Sequence, residues 1–304
     1  MQKKLVRLKF FLKKNYDYFL VSKNVIMKKK LVSILISNYN KENYIKRCLN
    51  SCVNQSYKNI EIIFVDNLSN DNSLKIAKDF KNIKVLSTKV RSKYPALNQI
   101  DTLLTGIKFC KGKIVSLLDS DDFFKRNKIK KIVEYFSKYP NKNLVCDTPY
   151  LYYYKNYTKN FVNKKKKNFY VWPTIFPTSS INLRKNFLIE CLNNIFPKMF
   201  PQIEIDFRIL VFADKIKNDL NFVSNNLTYY FQNPKGILSA YKKFSFYWWN
   251  KRFEAHKFME FFYKKNKIKF IKTLDYRVTC FMSLLSTLYF RIIPLKLNSL
   301  HFTK

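Results

Sequence analysis

Glycine is nearly missing from this chain: its 304 residues contain three, at 106, 112 and 236. A GxxxxGK[ST] phosphate loop and a GxGxxG dinucleotide turn both need clustered glycines for close backbone approach, so both are excluded. Histidine is scarcer still, with His256 and His301 only, which leaves little material for a zinc site or a His-based triad. Acidic residues number 20 against 58 Lys and Arg, a formal charge of +38. The six cysteines, at 48, 52, 110, 146, 191 and 280, include no CxxC pair. Cys48 and Cys52 are spaced for one helix face and suit packing rather than metal binding. A chain of this size without a cysteine framework reads as cytoplasmic and reduced. No uninterrupted apolar stretch follows the basic N-terminus, so no secretory signal is expected. The most apolar region, 278–295, is broken by Arg291 and Pro294. A spanning helix needs about 20 apolar residues, so this region is expected to pack on the domain or lie at a membrane interface.

What the sequence does have is apolar mass, 47% of residues, enough for a large core. Lys, Asn, Ile, Phe and Tyr are all frequent, a profile that follows AT-rich codons. The basic residues are spread along the whole chain, which favours a solvated surface over a dedicated nucleic-acid or lipid patch. Four regions follow: a basic, aromatic extension (1–30), a regular half (31–145), a less regular half (146–240) and a helical C-terminal extension (241–304). The first 26 residues are either an upstream extension before a start at Met27 or a short amphipathic helix on an anionic membrane surface, with Leu5, Leu8, Phe11 and Leu12 on one face.

Between 31 and 142, strands and helices alternate. Apolar runs at 31–37, 60–65, 83–87 and 113–118 read as buried strands. Helices are expected from Asn40 to Gln55 with Asn40 as cap, from Asn70 or Asp71 to near Phe80, and over 96–110 and 127–139. Strands joined by single helices predict an α/β, doubly wound, mostly parallel sheet with helices on both faces. Such sheets bind ligands beyond the carboxyl ends of their strands. The residues there are Ser37-Asn38-Tyr39-Asn40, Asp66-Asn67 and Asp119-Ser120-Asp121-Asp122, expected to converge on one crevice. Clustered carboxylates need a cation to neutralise them, and two on alternate residues suit Mg²⁺ or Mn²⁺ with room left for diphosphate oxygens. The other reading is that they cap the following helix.

The segment VSILISNYNKENYIKRCLNSCVNQSYKNIEIIFVDNLSNDNS, followed about 40 residues later by GKIVSLLDSDD, closely resembles the family 2 glycosyltransferases. The resemblance spans about 31–142, with fainter support to about 240. Ser37 stands where the family commonly has Pro, and Leu68 where Asp-Asn-Gly-Ser would place Gly. The resemblance implies a GT-A fold and inverting transfer from a nucleotide sugar, UDP-linked, to a glycan or lipid-linked acceptor. It implies that Ser37 and Tyr39 line the nucleotide pocket and that Asp66 accepts a hydrogen bond from the base, its alternative role being to satisfy turn amides near Ser69. It implies that Arg91 or Lys93 contacts the nucleotide, that Asp121 holds the metal, and that Asp119 faces ribose and metal. The acceptor's base is expected at the start of a later helix, where Asp206 is chosen over Glu204 for its apolar spacing to Phe207, Leu210 and Val211.

Trp172, Trp248 and Trp249 read as buried aromatics or as sugar-stacking platforms. Arg252, Glu254 and His256 read as a solvated helix face, with phosphate contacts as the alternative. The expected function is therefore a cytoplasmic glycosyltransferase, peripheral at the cytoplasmic membrane face, building a surface-glycan precursor. The rivals are an inactive GT-A-like binding module and a basic nucleic-acid-binding protein. No recognised nucleic-acid motif appears, and nucleic acid is not an expected partner.

Overall fold

The computed structural model describes residues 30–152, 158–160, 172–232 and 242–292. The proposals for residues 1–26, the lysine run at 164–167, Gly236 and the last residues of 278–295 lie outside them. Eleven strands among the described residues form two sheets. The larger has seven: β1 (Val32–Asn38), β2 (Ile60–Asp66), β3 (Ile83–Ser87), β4 (Ile114–Asp119), β6 (Leu144–Asp147), β9 (Ile181–Arg184) and β10 (Asn221–Val223). Their order across the sheet is β10-β6-β9-β4-β1-β2-β3. β1, β2, β3 and β4 run parallel, β10 is parallel to β6, and β9 is antiparallel to both neighbours. The fold is thus a mostly parallel α/β sheet, as the strand–helix alternation predicts.

Helices cover both faces, which is why the central strands are unbroken apolar runs. Alternate residues of β1 serve opposite cores. Ile34 and Ile36 pack with Ile45, Leu49, Ile132 and Phe136 from α1 (Glu42–Val53) and α4 (Lys128–Lys138). Leu35 packs on the other face with Ile100 and Leu103 of α3 (Pro95–Gly106). On that side α3 lies so close to the sheet that a Cβ on Gly106 would sit 2.3 Å from Leu35 Cδ1 and 2.8 Å from Val65 Cγ2. Cys48 and Cys52 are buried in the first of these cores.

Asn40 does not cap α1. It takes a left-handed φ of 48°, and its side-chain oxygen accepts from the Asn70 amide at 3.0 Å. Asp71 takes over: one carboxyl oxygen accepts from the Glu42 amide of α1 and the other from the Ser73 amide of α2 (Ser73–Lys78), both at 2.9 Å. Burial raises the Asp71 pKa, but the Ser73 and Glu42 hydrogen bonds outweigh it and hold the carboxyl below its usual range.

The smaller sheet, β5-β11-β7-β8, is built from β5 (Phe123–Phe124), β7 (Tyr150–Tyr152), β8 (Thr158–Asn160) and β11 (Thr228–Phe231). A fully buried ammonium bridges the two sheets. Lys128 Nζ of α4 donates to Asp147 Oδ1 at 2.7 Å, Ser179 O at 2.7 Å and Thr228 Oγ1 at 2.5 Å. Beyond β9 come α5 (Lys185–Asn193), the short α6 (Ile205–Val211) running into a π-helical turn, Phe212–Ile216, and a hairpin of α7 (Phe246–Lys265) and α8 (Leu274–Ile292). Tyr276, Thr279 and Ser283 of α8 are buried, while Val278, Phe281, Leu284 and Leu285 point outward, 43–60% exposed. No helix among the described residues is long and apolar enough to cross a membrane.

Candidate functional site

The parallel register brings the three strand ends to one level: Asn38 lies opposite Asp66, and Ser37 opposite Asp119. Asp66 is 1% exposed. Its Oδ1 accepts from Asn38 Nδ2 at 2.7 Å and Ser69 Oγ at 2.6 Å, and its Oδ2 from the Ser69 amide at 2.8 Å. The carboxylate therefore locks the turn. Leu68 fills the glycine position of that turn with φ 55°, so the backbone keeps the left-handed conformation at a steric cost. Beside it, Asn67 Nδ2 donates to Thr88 Oγ1 at 2.8 Å. The Oδ1 atoms of Asn67 and Asn38 are buried acceptors with no hydrogen-bond partner among the described residues.

The Arg91 guanidinium stacks on the Tyr39 ring at 3.5 Å, so two of the expected nucleotide contacts are brought together. Lys93 is exposed and leans over Tyr94 instead, 5.2 Å from the ring centroid. Ser37 Oγ pairs with Thr102 Oγ1 at 2.6 Å. The loop carrying Arg91 is fixed by Asn98, which bonds both the amide and the carbonyl of Ser92.

At the end of β4 three carboxylates have different surroundings. Asp122 is fully buried and structural: it accepts from Ser179 Oγ at 2.5 Å and the Phe231 amide at 2.7 Å. Asp119 accepts from Gln99 Nε2 at 2.8 Å. Burial first, and then the neighbouring Asp121 charge, push its pKa up to about 7. Asp121 accepts from Lys41 Nζ at 2.7 Å through Oδ2; no described residue bonds its Oδ1. Among the described residues no group of three or more His, Cys, Asp or Glu could hold a metal ion. The pair nevertheless fits a hard divalent cation in a shared site: it supplies carboxylate oxygens alone, its mutual repulsion is relieved by positive charge, and Lys41 already sits against it as a cation.

Asp206, on the first turn of α6, comes from the other half of the chain to within electrostatic reach of the end of β4: its carboxyl feels the charge of Asp119. Burial, then the adjacent Glu204, push its pKa up to about 7. Tyr230 of β11 is pushed up by burial and by the charges of Asp122, Asp206, Asp119 and Asp121. The start of α6 is held by Arg208. This fully buried side chain donates from Nε to Ile203 O at 2.8 Å and from its terminal nitrogens to the carbonyls of Ile195 and Phe200.

Sequence reasoning missed Arg208, Tyr230, Gln99 and Lys41, whereas Asn67 was already among the strand-end residues expected at the crevice. Of the four, Lys41 follows Asn40 and Arg208 follows Phe207, both residues already singled out.

The expectation of a solvated face at Arg252, Glu254 and His256 is overturned. Arg252 bonds Asp275 at 2.5 Å and Glu254 accepts from the Gln202 amide and side chain at 2.8 Å. His256 is fully buried, 3.2 Å from Asp275. The hairpin partner α8 and the loop before α6 cover this face of α7. Trp249 is buried, whereas Trp172 and Trp248 line a cleft of 310 Å³ together with Phe207, Glu204, Lys251 and Arg252.

The glycosyl transferase family 2 model matches residues 33–194, more than half of the chain. The chain therefore belongs to glycosyl transferase family 2. It is 27% identical over 183 residues to glycosyltransferase GlyA of Streptococcus pneumoniae, covering 58% of this chain and 26% of that protein. It is 38% identical over 112 residues to an uncharacterized glycosyltransferase of Haemophilus influenzae, covering 36% of this chain and 33% of that protein. The chain thus spans a third or less of these relatives. Among solved structures, S. aureus TarS 1–349 in complex with UDP-GlcNAc superposes with a TM-score of 0.57 at 17% identity, covering 85% of this chain and 71% of that one. That likeness is one of fold, and it confirms the GT-A-like architecture.

Proposed function

We propose that this chain transfers a sugar from a UDP-linked donor to a hydroxyl of a glycan or lipid-linked surface-glycan precursor, with inversion. The observation that carries this reading is that Asp119 and Asp121 stand at the carboxyl end of a parallel strand while Asp206, from the other half, is near enough for its carboxyl to feel the Asp119 charge. TarS, the fold neighbour, is complexed with UDP and UDP-GlcNAc, which supports this donor class.

In this reading the Tyr39–Arg91 stack and Ser37 bound the nucleotide, with Lys93 at the rim. Asp66 fixes the turn that presents the base pocket, and the unpaired Asn67 Oδ1 adds an acceptor for a base N–H. Asp119 and Asp121 would hold Mn²⁺ or Mg²⁺, which when bound supplies positive charge to the leaving diphosphate. Asp206 takes the acceptor's proton as the new bond forms. A base with a pKa near 7 suits that task, since it is ionised at working pH yet still basic. A single displacement by the acceptor hydroxyl, with Asp206 as its base, would invert the anomeric centre. The cation-rich surface and the outward apolar stripe of α8 support peripheral attachment to an anionic membrane face.

The test is UDP-sugar binding with Mn²⁺, read by thermal shift, together with product detection. Asp121→Asn or a chelator should weaken donor binding at least tenfold and lower transfer by about 10² or more, several kcal/mol of charge stabilisation being lost. Unchanged donor affinity in both arms would refute the metal role. Tight donor binding without transfer to any acceptor or to water would favour the binding-module rival.

A further inference from the structure

The cleft between the start of α6 and α7 is not explained by donor binding. It has 310 Å³ of space, walls from Trp172, Phe207 and Trp248, and polar edges from Glu204, Lys243, Lys251 and Arg252. Its walls are held before any ligand arrives. The Arg252 guanidinium lies 4.8 Å from the Trp172 ring and 5.3 Å from the Trp248 ring, and Asp275 of α8 pins it at 2.5 Å. Trp172 is in turn edge-on to Phe207, with ring centroids 5.8 Å apart. Rigid indole faces suit the C–H face of a sugar ring. The volume equals that of roughly ten liquid waters, about the room a single saccharide unit needs.

The polar edge has the wrong balance for a neutral sugar. Neutral saccharide hydroxyls need acceptors as well as donors, yet three cations line the cleft with one carboxylate; Lys251 is paired with Glu204 and Arg252 with Asp275, which leaves the Lys243 charge in excess. Lys243 is exposed and has no ion pair among the described residues. The cleft also has the right place. Glu204 and Phe207 flank Asp206, and the Lys251 charge reaches the Asp206 carboxyl.

We propose that this cleft is the acceptor subsite, and that it takes a saccharide unit carrying a negatively charged substituent, a phosphate or a carboxylate. The ring stacks on Trp248 and Trp172 while the anion meets Lys243 and Lys251. The acceptor hydroxyl is thereby presented toward Asp206. This rests on the glycosyl-transfer reading above for its meaning, but its test does not require turnover.

The experiment is titration of the full chain, by calorimetry, with a hexose 6-phosphate, a hexuronate, a neutral methyl hexoside and inorganic phosphate, with UDP in parallel. At least one charged sugar should bind ten or more times tighter than the neutral hexoside, and inorganic phosphate should bind more weakly than the sugar phosphate. Which charged sugar wins identifies the substituent. Lys243→Glu should weaken the charged sugar about tenfold and barely change the neutral one. Trp248→Ala should weaken both, with Trp248→Phe restoring much of the loss. UDP affinity should stay within twofold in every variant. Equal binding of charged and neutral sugars, binding of none, or indifference to Lys243→Glu would overturn the proposal. If UDP binds and no charged sugar does, the cleft assignment fails alone. If a charged sugar binds and UDP does not, the donor reading fails alone.

Discussion

The two halves of this molecule reach one crevice by different means. Before Lys142 the active edge is placed by strand register: parallel strands β1, β2 and β4 end level, and their last residues emerge already side by side. After it, Asp206 is not carried on a strand of the sheet. Asp206 stands on a helix of seven residues, too short to be stable by propensity, and its position is imposed by Arg208 gripping three backbone carbonyls of the preceding loop. The first half builds its site from regular structure, whereas the second half builds its contribution from buried polar braces. In the proposed reading, regular structure positions a cation and a nucleotide, ligands of fixed shape, while an irregular, braced surface can differ between relatives that use different acceptors.

The largest effect should come from breaking the joint between the halves. Lys128 belongs to α4 of the first half, and Asp147, Ser179 and Thr228 to the second. Lys128→Met leaves the Asp147 carboxylate buried without its cation and should cost about 3–5 kcal/mol, read by urea denaturation. Replacing both members by apolar residues should recover part of that loss. A cost under about 1 kcal/mol for the single change would show that the halves do not depend on this joint.

A smaller effect sharpens the role of the second half. Glu204 raises the Asp206 pKa by its charge, after burial. Glu204→Gln removes that charge and leaves Lys251 facing Asp206. The acid limb of the transfer rate should therefore move to lower pH, by about half a unit to one unit, since one unit equals about 1.4 kcal/mol. A limb that stays in place or moves up would separate Glu204 from the base. The smallest effect lies in the first half. Leu68 holds φ 55°, so Leu68→Gly should stabilise by up to about 1 kcal/mol, the relieved strain being partly offset by unfolded-chain entropy. Donor affinity should be unchanged.

How much of this could be read from the sequence follows the same division. Buried parallel strands are unbroken apolar runs, so β1 to β4 and the residues after them were legible within a residue or two. The capping was legible at one helix only: Asp71 reaches the start of α2, as its place just before that helix predicts, but it also takes the start of α1, far from it in sequence, where Asn40 has the chemistry of a cap. The small sheet was illegible because its strands are two to four residues long, too short to show a period. Arg208 was illegible for a different reason. An arginine in a helix reads as solvated, and only tertiary structure reveals that loop carbonyls bury it. The cleft lined by Trp172 and Trp248 likewise joins segments whose spacing carries no signal.

The central claim, that a carboxylate of the second half is held at the crevice for chemistry at a cost to stability, is tested most directly on Asp206→Asn by measuring transfer and unfolding together. The folded Asp206 pKa is pushed up to about 7, against about 3.9 in an unfolded chain. Between those values the folded state keeps a proton that the unfolded state has lost, so stability falls as pH rises through the window and the penalty is complete above it. Asparagine removes the penalty. The variant should be more stable than the parent by up to about 4 kcal/mol at pH 8, with little gain at pH 4, while donor binding persists and transfer falls by roughly 10² or more. A variant that transfers normally, or one that is less stable at pH 8 than the parent, would contradict the account.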